Sequence, residues 1–165
     1  RDATYNLLFH SIILSNLSAF LILVEKKADY LLTNSKGTSI LTLLAKRNHM
    51  DWADSILDMA TPSERQHLLN NDGPEIWTPL MSAAENNHLS ACKWLLLNGA
   101  HPNKQMSSGW TALHAACKKG HFEIVKTLLI HGADKAIMAT HKDFGKSLKP
   151  EDVTTDPIIL TLLLD

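Results

Sequence analysis

The sequence predicts an all-α solenoid of about four helix-turn-helix units followed by a short C-terminal capping unit. Three observations lead to this fold class. The chain repeats itself at intervals near 33 residues, apolar residues recur at helical spacing within each repeat, and glycine or asparagine separates the expected helices. Two short helices bury too little apolar surface to offset the entropy lost on folding. We therefore expect the units to be stable only when they stack on one another.

The repeat is clearest between the segments that begin at Trp77 and Trp110. When "WTPLMSAAENNHLSACKWLLLNGAH" is laid over "WTALHAACKKGHFEIVKTLLIHGAD", threonines, leucines, histidines and glycines coincide at an offset of 33 residues. Upstream, "TSILTLLAKRNHMDWADSIL" fits the same frame, but its Ser39 lies 39 residues before Thr78. The surplus falls in a segment led by proline, where we expect an extra helical turn over residues 63–69.

The repeat frame divides one predicted domain, residues 1–165, into successive units. Their approximate bounds are 4–36, 37–74, 75–107, 108–143 and 144–165. The second unit includes an insertion over residues 58–74, and the last unit is short. We expect that last unit to cap the stack.

Turn and cap residues mark the ends of the predicted helices. Gly120 falls where the first helix of its repeat should end, and Asn87 and Asn48 occupy the matching places. Glycine and asparagine suit the left-handed backbone at a helix end. Asp156 followed by Pro157 is typical of a helix start, since aspartate caps the helix and proline fits its first turn. Each unit is therefore predicted to be helix, tight turn, helix and an extended finger.

Composition and cysteine content argue against several classes of protein. The 16 basic and 17 acidic side chains leave a formal net charge of −1, so neither direct nucleic-acid binding nor membrane binding is expected. Cys92 and Cys117 are too few for a disulfide scaffold, and their spacing matches no zinc or redox motif. Reduced thiols indicate an intracellular protein, with the cytoplasm and the nucleus both left open.

The repeats resemble ankyrin repeats. The "TALHAA" of residues 111–116 and the "TPLMSAA" of residues 78–84 are similar to the threonine-proline-leucine signature of that family. The stretch "GHFEIVKTLLIHGAD" looks like its second helix and turn. The resemblance implies an ankyrin-repeat solenoid in which the finger tips and the first helices line one concave face. It also implies a module that binds other proteins.

The histidines fit the repeat better than they fit a chemical site. His49, His88 and His121 share the register just after the turn, where an imidazole can bond the turn backbone of its own or the next unit. The resemblance implies that His114 makes a hydrogen bond that stabilises the finger. His114, Cys117 and His121 have the spacing of zinc ligands on one helix, but a helix end falls between them. No catalytic residue, metal site, cofactor or small-molecule substrate is predicted, and we do not expect an enzyme.

Residues that the repeat frame leaves unexplained are the candidates for binding a partner. They lie just before the threonine register or at the end of a first helix. They are Trp77, Trp110, Lys118, Lys119, Glu85, Asn86, Lys46, Arg47, Tyr5 and Lys146. Large aromatic residues dominate the binding energy of many interfaces, so Trp77 and Trp110 are the predicted anchors. The alternative is that both tryptophans pack against the neighbouring finger and stiffen the array.

The sequence thus predicts a module that binds a peptide or surface loop of another protein, with basic residues indicating acidic groups in that partner. A second interpretation is a structural module that docks on another domain of a larger polypeptide, which could be an enzyme. It rests on Ile13 and Leu14, which are apolar where a helix should face solvent. A methyl-lysine reader is disfavoured, because Ser82 and Ala115 stand where resembling ankyrin domains need further tryptophans for an aromatic cage.

Overall fold

Short helices follow one another in pairs along most of the chain. The computed structural model describes residues 3–34, 37–70, 77–140 and 147–164, with the side chains of residues 3–6 excepted. The helices are α1 (Ala3–Ile13), α2 (Leu17–Glu25), α3 (Ile40–Arg47), α4 (Met50–Met59), α5 (Pro62–Asn70), α6 (Pro79–Glu85), α7 (Leu89–Leu97), α8 (Ala112–Lys119), α9 (Phe122–Ile130) and α10 (Pro157–Leu164). We call α1–α2, α3–α4, α6–α7 and α8–α9 the first to fourth helix pairs.

Successive pairs stack on one another. The first helices contact one another in the order α1, α3, α6 and α8, while α2 contacts α4 and α7 contacts α9. A 3₁₀ helix, Pro150–Val153, packs on α8, and α10 packs on α9. Buried apolar side chains from all pairs form one continuous core. This arrangement confirms the predicted all-α repeat solenoid.

Side chains cap the starts of several helices, including the start that the sequence predicts at Asp156. Ser39, Thr78 and Thr111 precede α3, α6 and α8, and each side-chain oxygen accepts a hydrogen bond from the backbone N–H three residues later. At the start of α10, Asp156 Oδ1 accepts from the backbone N–H of Ile158 at 2.8 Å. These side chains satisfy backbone donors that have no partner within the helix.

The turns inside the pairs use left-handed residues. Asn48, Asn87 and Gly120 have φ angles of 58°, 60° and 70°, as the sequence predicts for these positions. Ser15 occupies the same place in the first pair, with a φ of 52°. Four turns of one geometry keep the register between the helices of each pair the same along the stack.

The insertion carries a helix of its own, where the sequence predicts a helical turn over residues 63–69. Helix α5 covers that stretch and packs against α6. Its last residue, Asn70, is buried, and its Oδ1 accepts the backbone N–H of His101 at 2.8 Å. The insertion is therefore bonded to the finger of the third pair. The remainder of the predicted insertion, residues 71–74, lies outside the described residues.

Consecutive fingers are joined by a side-chain amide. Asn103 Nδ2 donates to the carbonyl oxygen of Gly132 at 2.9 Å, and Asn103 Oδ1 accepts from the backbone N–H of Asp134 at 2.7 Å. Beyond α9, strand β1 (Ala139–Thr140) pairs antiparallel with β2 (Ser147–Leu148). Through the two bonds of Asn103, the finger after α7 positions the finger after α9.

Candidate functional site

The residues just before the four left-handed turns form what we call the helix-end row. Its members are Ile13 and Leu14, Lys46 and Arg47, Glu85 and Asn86, and Lys118 and Lys119. All of them are exposed except Glu85, which is half-buried. The two residues before each stretch of the row, such as Ala83 and Ala84, are fully buried. The row can therefore vary in chemistry without disturbing the core.

Histidines fasten the row from one pair to the next. His88 Nε2 lies 3.0 Å from the carbonyl oxygen of Lys46, and His121 Nε2 lies 3.2 Å from that of Glu85. Because a carbonyl oxygen only accepts, Nε2 carries the proton in both rings. The sequence predicted bonds within the same unit or to the next one, whereas both rings reach the preceding pair. The last carbonyls of a helix have no partner within it, and stacking places these carbonyls within reach of the ring.

Cationic side chains of the row also reach the preceding pair. Arg47 Nη1 donates to the carbonyl oxygen of Ile13 at 3.2 Å. Lys119 Nζ lies 3.8 Å from Glu85 Oε1, and solvent reaches both side chains. His49 Nε2 lies 3.3 Å from the hydroxyl oxygen of Ser15, which extends the histidine contacts to the first pair. The row is thus continuous across all four pairs.

Trp110, one of the two predicted anchors, is packed within the array, with 9% of its surface exposed. Its ring lies against that of His114, with 5.1 Å between the centroids. Lys118 Nζ lies 5.6 Å from the Trp110 centroid, within the range of a cation–π contact. The indole therefore orients one lysine of the row, while only a small part of its own surface is available to a partner.

Trp77, the other predicted anchor, is half-buried and packs against the core between the second and third pairs. Its carbonyl oxygen accepts from Thr42 Oγ1 at 3.4 Å, so its backbone is bonded to α3. Trp77 is therefore less buried than Trp110. The two other predicted site residues, Tyr5 and Lys146, fall outside the described side chains.

The remaining tryptophans, Trp52 and Trp94, pack between helix pairs. Trp52 is 6% exposed, and its ring lies 5.2 Å from that of Phe20 and 4.7 Å from that of His49. Trp94 is half-buried, and its Nε1 donates to Asp54 Oδ1 at 3.2 Å. Both residues connect a second helix with the preceding pair.

His114 is a structural residue in the core. Its Nε2 lies 3.1 Å from the carbonyl oxygen of Leu148, so this nitrogen carries the proton. Its Nδ1 lies 2.8 Å from Thr111 Oγ1 and accepts the hydroxyl proton. Burial lowers the pKa of the imidazole, although the bond to Leu148 and the charge of Asp152 act in the opposite direction. The histidine therefore makes the finger contact that the family resemblance implies, in its neutral form.

The two cysteine thiols, like His114, lie in the core. Cys92 and Cys117 are both buried, and burial raises the pKa of each thiol to about 12. Within residues 3–34, 37–70, 77–140 and 147–164, no three histidine, cysteine or acidic side chains are grouped so that they could hold a metal ion. In the same ranges no helix has the length and apolar character needed to cross a bilayer.

The row ends beside a cavity of about 430 Å³. Lys118, Lys119 and Gly120 form one wall, and Thr155 and Asp156 are among the residues opposite. The lining therefore includes charged and hydroxyl-bearing residues. Such a lining suits a polar group of a binding partner better than an apolar one.

Comparison with protein families agrees with the geometry of the stack. A family model described as ankyrin repeats (3 copies) matches residues 8–106 and, in a second alignment, residues 60–139. Together the two matches extend over most of the chain and include every pair of the helix-end row. Among curated proteins, none matches this chain.

Proposed function

Because this chain belongs to the ankyrin-repeat family, we propose that it binds a peptide or surface loop of another protein along a concave face that includes the helix-end row. Ankyrin repeats are generally protein–protein interaction modules and are typically non-catalytic. The observation that carries the proposal is the contrast between a buried, repeating frame and an exposed row whose residues differ from pair to pair. Exposed residues placed on a rigid scaffold are those most often used in binding.

The charges of the row favour a partner with acidic groups. Among the described residues, no carboxylate lies within salt-bridge distance of Lys46 or Lys118. Lys119 pairs with Glu85, but an exposed pair of this kind contributes at most about 1 kcal/mol. A carboxylate of the partner can therefore engage these lysines without breaking a strong contact.

The row is organised before a partner arrives. The bonds from His88 and His121 to the preceding pair hold the helix ends in place. A preformed surface loses little conformational entropy on binding, so an affinity near 1 µM, about −8 kcal/mol, is expected for a short peptide.

Trp77 is the aromatic anchor that fits this surface best, since it is less buried than Trp110. Trp110 contributes through Lys118, whose ammonium it orients. Reading of methylated lysine is not proposed. Ser82 and Ala115 are buried small residues at the positions where further rings of a cage would be needed.

Capture of partners by charge-reversal variants tests the proposal. The immobilised protein is compared with a Lys46→Glu, Lys118→Glu variant, and cell extract is passed over both at physiological salt. The matched control is Lys93→Glu, Lys126→Glu, which makes the same change in net charge at exposed positions of α7 and α9. A protein retained by the native chain and the control but lost from the row variant supports binding at the row. Equal retention by all three proteins contradicts it.

A docking role within a larger polypeptide is the second candidate, and a specific observation favours it. Leu7, Leu17 and Ile22 of the first pair are 54%, 41% and 51% exposed. The equivalent Ile40 and Met50 of the second pair are buried by the pair that precedes them. An open stacking face of this kind suits another domain.

Sedimentation of the native chain and of a Leu7→Ser, Leu17→Ser variant tests the docking role. Self-association that the substitutions abolish favours docking, and a monomer in both cases speaks against it.

A further inference from the structure

The exposed apolar residues of the first pair belong to two different surfaces. The positions equivalent to Leu7, Leu17 and Ile22 become buried or half-buried in later pairs, because another pair stacks on them. Ile13 and Leu14 behave differently, since they are members of the helix-end row. Their equivalents stay exposed or half-buried in pairs that have neighbours on both sides. Stacking of a further helix pair would therefore leave Ile13 and Leu14 in water.

The row changes character from pair to pair. The first pair contributes Ile13 and Leu14, which are 44% and 71% exposed, and the second contributes two cations. The third pair is nearly neutral, because Glu85 faces Lys119 and Asn86 Nδ2 donates to the carbonyl oxygen of Ser82 at 2.8 Å. The fourth pair is cationic again. Along the stack the row is thus apolar, cationic, neutral and cationic.

We propose that the helix-end row recognises a partner segment with a bulky apolar side chain at one end and acidic side chains opposite the second and fourth pairs. This inference rests on the proposed function and adds the order of the groups. Packed helices lie about 10 Å apart, and an extended chain advances about 3.3 Å per residue. The acidic groups are therefore expected about three and about nine residues from the apolar one, in either chain direction.

The partner segment needs both its apolar side chain and its acidic side chains to match the helix-end row. A purely acidic segment would leave Ile13 and Leu14 in water. A purely apolar segment would desolvate Lys46 and Arg47 without giving them a partner, which is unfavourable. Arg47 already holds the backbone of Ile13 through its bond to that carbonyl oxygen, so the apolar and cationic parts of the row are continuous. At the other end, the ammonium group of Lys118, held over the Trp110 ring, is the cation offered to the second acidic group.

A library of random 16-residue peptides displayed on phage is the probe, selected against the immobilised 165-residue chain. The enriched peptides are expected to share an apolar residue and two acidic residues at the spacing given above. A fluorescein-labelled consensus peptide is then titrated with the native chain, with Leu14→Ser and with the matched control Leu97→Ser, a change at an 80% exposed leucine of α7. We expect Leu14→Ser to weaken binding about tenfold and Leu97→Ser to leave it unchanged.

A second peptide, in which alanine replaces the apolar residue, completes a double-mutant cycle between the chain and the peptide. It should bind the native chain about tenfold more weakly and should respond little to Leu14→Ser. Circular dichroism of each variant verifies the fold. If no peptide is enriched, the proposed function itself is contradicted. If peptides are enriched without the apolar residue, or if Leu14→Ser and Leu97→Ser bind alike, only the order of groups inferred here is overturned.

Discussion

The Nε2 atom of His121 lies 3.2 Å from the carbonyl oxygen of Glu85, the last residue of α6. His88 makes the same contact with Lys46 in the preceding pair, at 3.0 Å. A repeated histidine thus satisfies a helix-end carbonyl across the interface between pairs. The contact joins two pairs and holds the helix-end row in one geometry, so the frame of the repeat and the proposed binding surface depend on the same bond.

Removal of one such histidine bond should lower the stability of the fold. We expect His88→Ala to lower the free energy of unfolding by about 1 kcal/mol, because the hydrogen bond to Lys46 is lost at an interface between pairs. Urea unfolding followed by circular dichroism measures the change. His101→Ala, at an exposed histidine, is the control and should have little effect. Equal losses for the two variants would show that the contact does not stabilise the stack.

The stability of the protein should fall as the solution is acidified, partly through His114. Burial holds the pKa of its imidazole below the ordinary value of 6.5, so the unfolded chain binds a proton more readily than the folded one. The contribution of His114 to stability is therefore present above that ordinary value and is lost progressively as pH falls below it.

A substitution isolates this contribution. His114→Gln should lower the free energy of unfolding by about 2 kcal/mol at neutral pH, since a buried hydrogen-bond network is broken. Its stability should also depend less on pH than that of the native chain. Urea unfolding at about pH 7.5 and about pH 5.5 gives both quantities. The same pH dependence in the two proteins would contradict a neutral, buried His114.

Two glycines with similar backbone angles should respond differently to alanine. Gly109 and Gly120 have φ angles of 78° and 70°. Among the described residues, a Cβ at Gly120 meets nothing within 4 Å, so Gly120→Ala should lower the unfolding free energy by only about 1 kcal/mol, for the left-handed backbone. A Cβ at Gly109 would collide with the backbone of Met138, and we expect Gly109→Ala to lower it by at least about 2 kcal/mol more. Thermal unfolding of the two variants tests the difference, and similar midpoints would be inconsistent with the close approach.

The thiols should be unreactive in the folded chain. Burial raises the pKa of Cys92 and of Cys117 to about 12, so neither forms appreciable thiolate near neutral pH. Ellman's reagent should therefore react slowly with the native protein and release two thiols per chain in denaturant, one for each cysteine. Rapid reaction of either cysteine before unfolding would show that the core around it opens easily.

Much of the fold could be predicted from the chain alone, because it depends on local preferences. The repeat spacing, the caps at Thr78 and Thr111, and the left-handed turns at Asn48 and Gly120 all follow from residue types that suit those backbone conformations. The exposed positions of the helix-end row also follow, since the repeat assigns each residue to the core or to the surface.

The sequence did not predict how deeply each side chain of the site is buried. The repeat placed Trp77 and Trp110 in one register, yet the ring of Trp110 packs on His114 whereas part of Trp77 stays exposed. Nothing in the local pattern distinguishes these two outcomes, because the burial of each indole depends on how the whole array packs around it. The β1–β2 strands likewise depend on a pairing between segments that the repeat does not encode.

The sequence by itself therefore determined the repeat, the helix ends and the identity of the exposed residues, because these depend on interactions within about one unit. Only the tertiary structure decided which carbonyl His88 and His121 bond, how Trp110 orients Lys118, and that Ile13 and Leu14 continue the cationic row. The histidine and arginine bonds join residues more than 30 positions apart, as in the bond from Arg47 to Ile13. They arise when the pairs stack, since stacking brings a helix end of one pair against the turn of the next.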